Sequence, residues 1–208
     1  RDLKPGNIML GEGEHAGRVK VLDFGLAKLA EAPTAAAGPT AMPTALPLVE
    51  PIACRARAAA LAHQLGVADW GTTHDSDIFR PRLGTNLSAF IAGYTNHFFR
   101  ATDSIGLPVA AGVDEITLAF TADAWSRSKR SRAYAVAAST EPLQTLSDLT
   151  ILPDRVSGAA DEPKLMLALS NSTLPGHALD LALAGMEQRY GRRTAFLVAL
   201  EFEYPSYR

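Results

Sequence analysis

The chain has 208 residues, 47% hydrophobic and 20% charged, which suits one medium or two small globular domains. A formal net charge of −2 gives no electrostatic case for nucleic acid or a membrane surface. No apolar run reaches the roughly 18 residues of a membrane span, and no basic and apolar leader opens the chain. The single cysteine, Cys54, excludes an internal disulfide framework and suits a reducing compartment, so a cytoplasmic location is expected.

Taken in order, residues 1–30 alternate short apolar runs with polar turns. Ile8-Met9-Leu10 and Val19-Lys20-Val21-Leu22 read as two strands around a glycine-bearing loop, a hairpin. Residues 31–48 are almost all Ala, Pro and Thr, with no apolar period to bury, and read as a disordered or extended linker. Residues 49–105 are helical and loop-like, without an assigned role. Within them, 51–66 read as a helix with Pro51 in its first turn and Gly66 as its stop. Its apolar stripe is Ile52, Cys54, Ala58, Leu61 and Leu65. Leu87 to Phe99 fits a helix or a strand equally well.

Residues 106–208 read as α/β. Val113 to Phe120 leads into a helix-like Thr121–Arg132. Residues 133–138 and 149–152 are strand-like, the second stopped by Pro153. His177 to Tyr190 carries Leu179, Leu183 and Met186 at helical spacing, with Gly191 as a stop. Alternating strands and helices favour a layered α/β fold.

Arg1-Asp2-Leu3-Lys4-Pro5-Gly6-Asn7, followed by Val19-Lys20-Val21-Leu22-Asp23-Phe24-Gly25, resembles the catalytic and magnesium-binding loops of bacterial serine/threonine protein kinases. The resemblance covers residues 1–30. It implies ATP and Mg²⁺ as cofactors and a protein as substrate. Asp2 would accept the proton of the substrate hydroxyl, and Lys4 would reach the transferring phosphate. Asn7 and Asp23 would hold Mg²⁺ with hard oxygen ligands, and Gly25 would free the turn that carries Asp23. The family's glycine-rich loop, its ATP-positioning lysine and that lysine's glutamate partner have no counterpart here, and no Ala-Pro-Glu follows the Ala/Pro/Thr run. Phosphoryl transfer depends on positioning, so the expectation is a kinase fragment that is inactive alone. The opening at Arg1 also fits a fragment.

Gly112-Val113-Asp114-Glu115-Ile116-Thr117-Leu118-Ala119-Phe120, with the run from Ala133 to Asp154, resembles the ThiJ/PfpI family. The resemblance covers roughly residues 109–160 and extends to 176–208. It implies a flavodoxin-like α/β module, here partial. In that family a glutamate after the first strand faces a nucleophilic cysteine at a strand-to-helix elbow. Glu115 matches the glutamate, or is a solvated carboxylate at a strand end. No cysteine follows Asp154, and Cys54 precedes the matching region, where a small core residue is the plain reading. Between Ala160 and Pro175 about a sheet's worth of family sequence lacks a counterpart. This gives the alternative expectation of a non-catalytic interaction or regulatory module. A third reading is a chimeric gene fragment without selected function. Sheet edges left open by missing strands would invite self-association.

Three further clusters stand out. His74-Asp75-Ser76-Asp77 could bind a metal only with a distant ligand such as His63 or His97, and otherwise reads as a solvated turn or helix cap. Phe90, Tyr94, Phe98 and Phe99 read as core or interface. The run from Arg127 to Arg132 reads as a wet basic helix face, or as a phosphate-binding or phosphorylated segment.

Overall fold

The computed structural model describes residues 8–10, 19–21, 55–67, 75–169 and 173–207. The expected linker over 31–48, Asp2, Lys4, Asn7, Asp23, Gly25, Cys54 and His74 lie outside the described residues. Strands β1 (Ile8–Leu10) and β2 (Val19–Val21) pair antiparallel, with Ile8 opposite Val21. This is the expected hairpin.

The remaining elements form a mixed α/β unit. In chain order they are α1 (Arg55–Leu65), a short 3₁₀ turn (Ser76–Phe79), α2 (Leu87–Phe99), β3 (Asp103–Pro108), α3 (Glu115–Arg127) and β4 (Ser131–Ala137). There follow β5 (Leu143–Gln144), β6 (Thr150–Ile151), β7 (Arg155–Val156), β8 (Leu165–Met166), a 3₁₀ turn (Pro175–His177), α4 (Ala178–Tyr190) and α5 (Arg192–Glu201). Among the described residues no helix is long and apolar enough to cross a membrane.

Four strands make a parallel sheet in the order β7-β4-β3-β8. β3 and β4 run in register from Asp103 opposite Ser131 to Pro108 opposite Val136, joined through α3 as a βαβ unit. Ile105, Gly106 and Leu107 are buried in succession, the run expected where both faces of a strand are covered. Gly106 lets β8 approach: a Cβ there would sit 2.2 Å from Met166 Sδ. β5 and β6 form a separate antiparallel pair. The stretch between Ala160 and Pro175 therefore supplies a strand of the main sheet.

α3 begins at Glu115, earlier than the helix read from Thr121, because Asp114 caps it: Asp114 Oδ1 accepts from the Thr117 N–H at 2.6 Å. Its residues from Thr117 to Thr121 are all buried, so it is an interior helix. Contacts pass from the sheet to α3, then α4, then α5, and from α5 to α2. One core unites Ile105, Leu107, Leu118, Trp125, Leu183, Met186 and Phe202. A smaller cluster of Phe79, Ala89, Leu197 and Leu200 joins α2 to α5. Buried Asn96 fastens this contact, donating to Thr194 Oγ1 at 3.0 Å and to the Ser128 carbonyl at 3.2 Å. β3 begins at Asp103, so the strand crosses the boundary expected at residue 106.

Gly191, at φ +88°, ends α4 and opens α5 with nothing between them. After α5 the tail folds back on α4. Tyr204 donates to Asp180 at 2.7 Å, and Tyr207 donates to Glu187 at 2.5 Å. Burial, then the bond to Asp180, pushes the Tyr204 phenol up to about 12 from its ordinary 10.0. A phenol raised on folding stabilises the fold fully below its unfolded value, and that contribution is lost as pH rises through the folded one. The Tyr204–Asp180 tether is expected to weaken from pH 10 and to be lost by about 12, while the Tyr207–Glu187 tether, whose phenol is pushed up further, persists. Phenolate absorbance and local loss of α4 amide protection read the change. Release of the tail below pH 10 would contradict it.

Candidate functional site

The strand order turns back on itself at β3. From β3 the chain moves to β4 and β7 on one side, then returns to β8 on the other. In parallel sheets the carboxyl ends of two such strands diverge and leave a crevice that ligands use. Two segments leave those ends: Val109 to Asp114, which leads into α3, and Leu167 to Leu169 after β8.

Glu115 stands in the first turn of α3, where the helix dipole favours an anion. Burial pushes its carboxyl up. Hydrogen bonds from Ser147, its own backbone and Thr145 outweigh this and hold it below its ordinary 4.5. The Ser147 N–H donates to Glu115 Oε2 at 3.4 Å. The same turn is tied to the β3–α3 loop by Leu146 N–H to the Val113 carbonyl at 3.0 Å and Gly112 N–H to the Gln144 carbonyl at 2.8 Å. Glu115 is thus an ionised anchor for the β5–β6 turn.

Thr117, one turn on, is the unusual group. Its hydroxyl is buried and has no hydrogen-bond partner among the described residues. Thr117 lines a cavity of about 140 Å³ between α3, α4 and the chain leaving β8. Trp125, Leu167, Leu169, Leu181 and Ala182 supply apolar walls. A buried hydroxyl without a partner costs about 1–3 kcal/mol. Thr117→Val keeps the shape and removes that cost. It is expected to raise the unfolding free energy by about 1 kcal/mol in urea melts, whereas a hydroxyl that serves the fold would make the variant less stable. Neither composition nor periodicity marks Thr117.

At the opposite end of β3, Asp103 Oδ2 accepts from the Tyr190 hydroxyl at 2.7 Å and from Arg189 Nη2 and Nε at 2.9 and 3.0 Å. The Tyr190 hydrogen bond, with help from Arg189, holds its carboxyl below the ordinary 3.8 against the opposing effect of burial. The cluster ties β3 to α4.

The remaining candidates resolve as supports. Asp75 Oδ1 accepts from the Asp77 N–H, Asp77 pairs with Arg80, and Ser76 donates to Glu203, so this loop caps the 3₁₀ turn. Among the described residues no group of three His, Cys, Asp or Glu side chains could hold a metal. Phe90 packs on the smaller cluster, but Tyr94, Phe98 and Phe99 are exposed, contrary to a core role. In the basic run, Arg127 pairs with Asp123 and Arg130 lies over the Tyr190 ring. Ser128 and Ser131 are buried, closed to a modifying enzyme. The residues implied to hold ATP and Mg²⁺ lie outside the described ones, so no geometry bears on them. No protein-family model, curated protein or solved structure matches this chain.

Proposed function

We propose that residues 103–207 form a flavodoxin-like, ThiJ/PfpI-like regulatory module that binds a small neutral ligand and performs no thiol chemistry. The carrying observation is Thr117, which lines an apolar cavity beside a switch in strand order and whose buried hydroxyl lacks a partner among the described residues. Glu115 fits a positioning role, since its carboxylate is committed to the β5–β6 turn. A hydroxyl that lacks a partner can donate one hydrogen bond, so the ligand is a compact carbonyl compound on an apolar body. Saturation-transfer NMR with cyclopentanone tests this. Saturable binding that Thr117→Val abolishes supports the reading; binding unchanged in the variant, or none at all, refutes it. A single cysteine is consistent with a cytoplasmic setting.

A second reading concerns residues 1–25. Asp2 and Lys4 would act on the transferring phosphate, and Asn7, Asp23 and Gly25 would form the metal-bearing turns of a serine/threonine kinase, with ATP and Mg²⁺ bound. The β1–β2 pairing, which spans the two motifs, supports it. The glycine-rich loop and ATP lysine of such enzymes are not in these 208 residues, so transfer by this chain alone is not expected. When bound, Mg²⁺ would neutralise charge on the phosphates. On this reading MgATP raises the melting midpoint of the parent chain and not of Asp23→Ala. Equal midpoints in both would remove nucleotide binding from the segment. Among the described residues β7 and β8 are short edge strands, which is compatible with self-association of the sheet.

A further inference from the structure

A second groove, about 790 Å³, lies between the Ser76–Phe79 turn, the starts of α2 and α5, and the tail. Phe79, Phe196 and Leu200 form an apolar floor, and Arg82, Arg192 and Arg193 line the same groove. No Asp or Glu is among its lining residues. Arg82 and Arg193 are exposed and make no ion pair among the described residues.

The start of α5 adds an independent observation. Its first turn holds Arg192 and Arg193, no acidic residue, and no side-chain cap at Gly191. The positive end of a helix dipole disfavours cations and leaves N–H groups without intrahelical partners. Arg193 adds positive charge beside those N–H groups, and an anion in the groove would interact favourably with both. Arginine forks match carboxylate and phosphate oxygens, while the phenylalanine floor takes an apolar body.

We propose that this groove binds a small amphipathic anion: a flat apolar body carrying one carboxylate or phosphate. The site is separate from the Thr117 cavity and does not rest on it.

Calorimetry on the full chain with 2-naphthoate, 2-naphthyl phosphate and the neutral 2-naphthylmethanol tests the proposal. At least one anion is expected to bind about 10-fold more tightly than the alcohol, as befits a charge-assisted contact. The preferred head group separates a carboxylate from a phosphate ligand. Arg82→Gln and Arg193→Gln change exposed side chains, and each should weaken the anion several-fold while leaving the alcohol unchanged. Added salt should weaken the anion alone. Anion and alcohol binding equally, variants that bind like the parent, or no anion binding would each overturn the proposal. Because Thr117→Val should leave anion binding intact, failure here is distinguishable from failure of the carbonyl site.

Discussion

Trp125→Ala is expected to lower the unfolding free energy by about 3–5 kcal/mol, a large fraction of the 5–15 kcal/mol that holds a typical domain together. Trp125 is 3% exposed and sits where α3, α4 and the sheet meet. Its ring meets Tyr190 edge-on at 5.7 Å between centroids. Its indole passes so close to Gly185 that a Cβ there would lie 3.3 Å from it. Removing the indole loses this packing. It also opens a void continuous with the cavity that Trp125 already lines, so collapse cannot refill it. The Trp125 carbonyl, which accepts from the Ser128 and Ser131 hydroxyls at 2.6 Å each, survives the substitution. The loss is thus a side-chain effect, and Trp125→Phe should recover much of it. Urea denaturation followed by circular dichroism measures both. A drop below about 1 kcal/mol for the alanine variant would show that the site relaxes, contrary to this packing.

Gly176→Ala is expected to cost about 1–3 kcal/mol. Its Cβ would lie 2.5 Å from the Leu65 carbonyl oxygen and 3.2 Å from the Gly66 backbone. A backbone carbonyl cannot rotate aside, so the end of α1 must move off the Pro175–His177 turn. Leu65 and Val67, both packed against the core, move with it. Gly106→Ala makes an instructive contrast. Its closest approach is shorter, 2.2 Å, but that atom is Met166 Sδ on a residue 39% exposed, which can swing into solvent, and the nearest fixed neighbour, buried Val136 Cγ2, stands at 3.0 Å. The longer contact should therefore cost more. Hydrogen exchange should show α1 amides losing protection in Gly176→Ala while β3 and β4 keep theirs. Equal or reversed costs for the two variants would contradict the argument.

What could be read from residue order follows from where burial is regular. The β1–β2 pair, the helix ending at Leu65, the strand around residues 133–138 and the helix stopped by Gly191 all carry local signals, a turn, a cap or a clean apolar spacing, and each is present. Leu87–Phe99 stayed open between helix and strand for a physical reason. The side of α2 that meets α5 is Ala89, Gly93 and Asn96, small or polar, while Ile91, Tyr94 and Phe98 face solvent. Hydrophobicity there marks the wrong side. Residues 113–120 hid a helix start because 117–121 are buried all round, which erases any period. β8 has two residues and gains its identity from Ile105 and Gly106, far away in the chain. The cavity beside Thr117 was illegible for the same reason: it exists only after α3, α4 and the strand beyond Lys164 have met. For the arginine groove, Arg192-Arg193 was visible and Arg82 was visible, but nothing local links them.

The single-residue joint at Gly191 also sets an order of events. α4 and α5 need almost no loop closure to find each other, so their pairing is the cheapest tertiary contact in the described unit. β8 reaches β3 only after the whole span from Ile105 to Leu165 has been drawn together. Contact order then leads one to expect that closing the sheet, rather than pairing the two helices, sets the folding speed. Until that closure, the outer edge of β3 is bare, and the interval is when one chain is most exposed to its neighbours.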